Sequence, residues 1–167
     1  DELEEEAESK AAELQRLTAK VDEYETCEEE NIAKAEAAAK EKAIAEAKVS
    51  EREGAWKPLD EEATKLEEEA SKAEAARAEA IAKSESGNFP AEQQELIKKR
   101  NDLLTKISKL KQKKAQEARL KADEIRLDLE KAQAKVKEKS TEEKEARKAA
   151  EECEQHLADA KDEIEGL

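Results

Sequence analysis

Apolar residues along this chain recur three and four positions apart. With Leu3 at a core position, the series runs Leu3, Ala7, Lys10, Leu14, Leu17, Val21 and Tyr24. The same count reaches Ala35, Ala38, Ala45, Val49, Trp56, Leu59, Ala63, Leu66, Ala70, Ala73 and Ala80. A 3-4 alternation places those side chains on one stripe of an α-helix, as in a coiled-coil seam. A second series runs Ala122, Ile125, Leu129, Ala132 and Val136, then Ala146, Ala150, Cys153, Leu157, Ala160, Ile164 and Leu167. Between them, Leu96, Arg100, Leu103, Ile107 and Leu110 form a third run, which joins the later register only through a stutter near Lys114–Ala118.

Two stretches punctuate the pattern. The segment Ser84–Gln93 carries Gly87, Asn88, Phe89 and Pro90, a helix stop followed by a restart in which Pro suits the first turn. It predicts a tip loop near 84–91. Gly54 and Pro58 predict a kink or short break near 54–58, although the heptad phase continues across them. The expected architecture is all-α: one elongated antiparallel coiled-coil hairpin, with arm one at 1–84, the tip at 85–90 and arm two at 91–165.

Antiparallel pairing makes facing positions add to a constant. A constant near 181 sets Leu17 against Ile164, Tyr24 against Leu157, Val49 against Ala132, Trp56 against Ile125 and Leu59 against Ala122. It also centres the fold on Pro90 and Ala91, within the segment that turn chemistry selects. Charge agrees: residues 98–121 are basic, and the facing stretch 60–83 carries Asp60, Glu61, Glu62, Glu67, Glu68, Glu69, Glu74 and Glu79. Such a hairpin extends roughly 120 Å at 1.5 Å per residue. Its seam is thin, with Glu28, Asn31, Ala35, Ala38 and Lys42 in succession, and Ile32, Ile44, Ile81, Leu104, Leu120 and Leu127 fall off it. A third helix or self-association could cover a second stripe; scattered exposed apolar residues are the plainer reading.

Composition changes the picture in two ways. Charged residues make up 47% of the chain and aromatics 2%, too few large apolar groups for a compact core. Abundant Ala, Glu, Lys and Leu with 3 Gly and 2 Pro oppose disorder. The net charge of −14 disfavours nucleic acid and anionic membrane as partners of the whole molecule. Within the basic run no aromatics are interleaved, so an internal charge partner suits it better than phosphates. The absence of Met reads as a processed product or an excised fragment.

Candidate chemistry is sparse. Cys27 and Cys153 add to 180, one from the pairing constant, and so are candidates for a disulfide closing the open end, where two acidic arms repel. Two idle thiols in a reduced compartment are the alternative. His156 lies near Cys153 but lacks a third ligand or an orienting group, and reads as a surface histidine. There is no phosphate-binding Gly loop, CxxC or HExxH. The expectation is no enzyme, no cofactor, no metal, no small-molecule substrate and no nucleic-acid partner.

The Glu/Ala-dominated runs "AEAAAKEKAIAEAK" and "KLEEEASKAEAARAEAIAKS", in a long hairpin with one candidate disulfide, resemble the glutamate/alanine-rich surface proteins of trypanosomes, whose fold is similar to that of variant surface glycoproteins. The resemblance implies an elongated helical coat protein at the cell surface, held by an anchor outside this chain and partnered by neighbouring coat molecules or itself. The opening "DELEEEAESKAAELQRLTAKVDEYE" is instead similar to myosin-rod and tropomyosin segments, and implies an intracellular cytoskeletal scaffold or the spacer arm of a larger assembly.

Overall fold

The computed structural model describes residues 1–167 and contains two helices, α1 (Glu2–Ser86) and α2 (Ala91–Glu165). They pack against each other as an antiparallel hairpin. The loop is shorter than the expected tip and spans residues 87–90. The Pro90 carbonyl accepts the first helical bond of α2 from the Gln94 N–H (2.9 Å), so Pro90 stands at the cap rather than inside the first turn. At the end of α1, the carbonyl of Ala80 is met by the Ser84 hydroxyl (2.7 Å) and by Arg100 from α2 (3.4 Å).

The short break expected at Gly54 and Pro58 is absent: α1 is helical through both residues. Pro58 has no N–H to give the carbonyl four residues back, which belongs to Gly54. Both residues are exposed, so that carbonyl can be met by water, and the helix continues.

Two compact units divide the chain, one formed by Asp1–Ala47 with Ala132–Leu167 and the other by Lys48–Lys131. In the first, Tyr24 meets His156, Cys27 meets Cys153 and Glu41 meets Lys139, pairs that each add to 180. In the second, Arg52 pairs with Asp128, and Glu74 and Arg77 reach Ser108 and Thr105, with totals of 180 and 182. The antiparallel register is therefore within one residue of the expected constant. Tyr24 stacks on His156 rather than facing Leu157.

Burial bears out the seam of α1 from Leu17 to Ala80, with Ala35, Ala38, Ala45, Ala63 and Ala70 buried, whereas Leu3, Ala7, Lys10 and Leu14, expected on it, are exposed. Eleven of the fourteen buried apolar residues are alanines, so the helices can approach closely while each layer removes little surface from water.

The stutter expected in α2 does not occur. Ile97, Asn101, Leu104, Ser108, Ala115, Ala118, Ala122, Ile125 and Leu129 face inward in one unbroken register. Leu96, Leu103, Ile107 and Leu110 are instead 66%, 59%, 45% and 61% exposed, and Leu104, expected off the seam, lies on it. The cause is the partner helix. The stripe of α1 over residues 63–84 has no phase slip, so α2 must present the same period to stay in contact.

Candidate functional site

Five places gather side chains with more than packing to do. In the unit containing both ends of the helix pair, Cys27 is half-buried, Cys153 is buried, and their Cα atoms stand 6.0 Å apart, within the span that a disulfide bridges. Asn31 lies one turn on; its amide donates to the Cys27 carbonyl (2.8 Å) and approaches the Cys27 and Cys153 sulfurs at 3.4 and 3.8 Å. One turn back, the Tyr24 and His156 rings stack with centroids 5.3 Å apart. This unit holds 13 basic and 27 acidic residues, and so the whole net charge of −14. A covalent closure sits where self-repulsion is concentrated.

Next to it lies an open hollow of about 480 Å³, lined by Asn31, Lys34, Glu41, Lys139, Glu142 and several alanines. Lys139 binds Glu41 (2.7 Å) and Glu142 (3.0 Å). Hydrogen bonding to Glu41, then to Glu142, holds the Lys139 ammonium above its ordinary pKa, and the same contact holds Glu41 below the usual carboxylate range. Such an arrangement fixes the Lys139 side chain between two carboxylates. No group of three or more His, Cys, Asp or Glu side chains is placed to hold a metal ion.

The second unit carries 19 basic and 19 acidic residues, with acids in excess on its part of α1 and bases in excess on its part of α2. The expected facing of the basic run 98–121 by the acids of α1 is realised at a single point. Among its ten basic residues only Arg119 forms ion pairs, with Asp60 (2.7 Å) and Glu67 (3.0 Å from Nε). Donating to Asp60 first, then to Glu67, raises the guanidinium pKa further.

Nearer the loop the helices are joined by a polar ladder that the apolar count missed. Asn101 donates to Ser84 (3.2 Å), Arg77 to Thr105 (3.0 Å), and Ser108 to Glu74 (2.6 Å), while Gln112 donates to Ser108 (3.3 Å). Asn101 and Ser108 stand seven apart on the inward register, a signal readable only if polar residues are admitted to the seam. Hydrogen bonding by Ser108, with Arg77 nearby, keeps the Glu74 carboxyl below its ordinary range.

At the loop, Phe89 lies over Gly87 and lines a hollow with Ile97 and Asn101. A Cβ on Gly87 would run into the Phe89 ring, which explains glycine there without any unusual backbone angle. The Gln94 amide donates to the Phe89 carbonyl (2.8 Å). Asn88 and Pro90 are exposed, and Gly54 has open space around it.

The chain matches no family model, no curated protein and no solved structure. No helix is long and apolar enough to cross a membrane.

Proposed function

We propose that this chain is a non-enzymatic structural protein of the cell surface, a helical coat or spacer element held through an anchor outside the residues described. The observation that carries the reading is the Cys27–Cys153 pair at bonding distance inside the acidic unit. A disulfide persists in oxidising surroundings and is rare in reduced cytosol. The remaining geometry suits a support role: shallow hollows, ion pairs that satisfy one another, and an alanine seam.

An intracellular scaffold is favoured by a different observation, the exposed apolar stripe Leu96–Leu110 flanked by unpaired lysines, which suits assembly with another chain. Intact mass of native material, alkylated before and after reduction, separates the two. The surface reading expects no alkylation until reductant is added, and loss of the chain from intact cells treated with protease. Two thiols alkylated without reductant would remove that reading and leave the scaffold.

A further inference from the structure

The stripe Leu96, Leu103, Ile107 and Leu110 is more than scattered surface hydrophobicity. The four residues share one side of α2, at 4-3-4-3 spacing if Arg100 is counted, and each is at least 45% exposed. Lys99, Lys106, Lys111 and Lys114 border or continue the stripe, all exposed and none in an ion pair within the chain. Apolar centre and basic border together fit an acidic amphipathic helix.

The chain itself contains one. The first turns of α1 carry Leu3, Ala7, Lys10 and Leu14 at 4-3-4 spacing, all exposed, with Leu3 at 75% and Leu14 at 44%. Glu2, Glu4, Glu5, Glu6, Glu8 and Glu13 accompany them. We propose that the Leu96–Leu110 stripe receives this acidic segment from a second copy of the chain, laid antiparallel.

Antiparallel alignment sets Leu3 opposite Leu110, Ala7 opposite Ile107, Lys10 opposite Leu103 and Leu14 opposite Arg100. The charges then match level by level. Glu4 to Glu8 come level with Lys106 and Lys111, and Glu13 comes level with Lys99 and Arg100. The one base of the acidic segment, Lys10, falls beside Asp102, the one acid among residues 96–114. A parallel alignment, with Leu3 opposite Leu96, also leaves Lys10 beside Asp102 but brings Glu2 beside Glu95, a like-charge contact that the antiparallel one avoids. Two stripes facing each other would set lysine against lysine. Because the donor segment and the seat are different patches, the contact is heterologous, and where the rotation between copies does not close a ring it propagates as an open chain of molecules. With few apolar residues on each side the contact is small, which makes the association weak. The inference stands apart from the cell-surface reading and holds in either compartment.

Sedimentation velocity of the oxidised chain over a concentration series tests it, at about 0.01 M and about 1 M salt, where the Debye length falls from roughly 30 to roughly 3 Å. At low salt the sedimentation coefficient rises with concentration without levelling at a dimer, and high salt weakens association by about tenfold or more. The double variant Leu103→Glu/Leu110→Glu sediments as one species while its far-UV circular dichroism stays that of the parent. Lys10→Glu and Asp102→Lys each weaken association, and their combination restores it. A parent that sediments as one species at every concentration overturns the proposal, as does association unchanged in Leu103→Glu/Leu110→Glu. Binding of a non-associating parent to phosphatidylserine vesicles through this stripe also overturns it, and assigns the stripe to a membrane surface.

Discussion

Ser108 of α2, 1% exposed, donates a 2.6 Å hydrogen bond to Glu74 of α1 at a level where leucine or alanine would be expected. That contact, with its neighbours at Asn101 and Thr105, marks the register of the whole basic half of α2. A polar layer makes a slip in register costly, because each displaced donor would be buried without its partner. The predicted outcome is a reversal of what apolarity alone suggests. Leu103→Ala and Leu110→Ala change unfolding free energy by less than about 0.5 kcal/mol. Leu129→Ala, at a site 7% exposed, costs about 2 kcal/mol or more. Urea denaturation of the three variants checks the ordering.

Reduction of the Cys27–Cys153 bridge should act mainly on the acidic unit. The bridge joins residues 126 apart in sequence, for which chain-entropy arguments give about 4–5 kcal/mol. Hydrogen exchange after reduction is expected to accelerate in residues 1–47 and 132–167 while protection in 48–131 persists. The effect grows at low salt, where the surplus of acid is least screened. Uniform acceleration in both units would contradict it.

Gly54 and Pro58 weaken α1 without a structural need visible around either. Pro58→Ala gives the Gly54 carbonyl its helical donor and should stabilise by about 1–3 kcal/mol. Gly54→Ala meets no atom within 4 Å and should add about 0.5–1 kcal/mol through lower unfolded-state entropy. Thermal melts of both variants provide the test, with a rise in Tm expected for each.

Acid should undo the Glu41–Lys139 contact. The folded Glu41 pKa lies below its ordinary 4.5 because Lys139 donates to the carboxylate. Its contribution to stability is therefore complete above the unfolded-state pKa and disappears as pH falls through the lower folded value. In Lys139→Met, carboxyl-resolved NMR titration should show the Glu41 pKa returning upward toward 4.5. An unmoved titration would mean that another group depresses it.

The helices, the turn and the antiparallel register were legible from residues alone. Strong helix formers in 3-4 order need only local spacing to define a stripe, and Gly87–Pro90 interrupts it by backbone chemistry. Pairing of Cys27 with Cys153 followed from the same arithmetic. What lay beyond the sequence is which face of α2 near the loop turns inward. Leu96, Leu103, Ile107 and Leu110 satisfy a heptad as well as Ile97, Leu104, Ser108 and Ala115 do, and only the unbroken stripe of α1 chooses between them. A helix's periodicity is set by its own residues, whereas the phase it presents is set by the surface it packs on. For that reason hydrogen bonds such as Ser108–Glu74, and the leucines left facing water, emerged only with the tertiary structure.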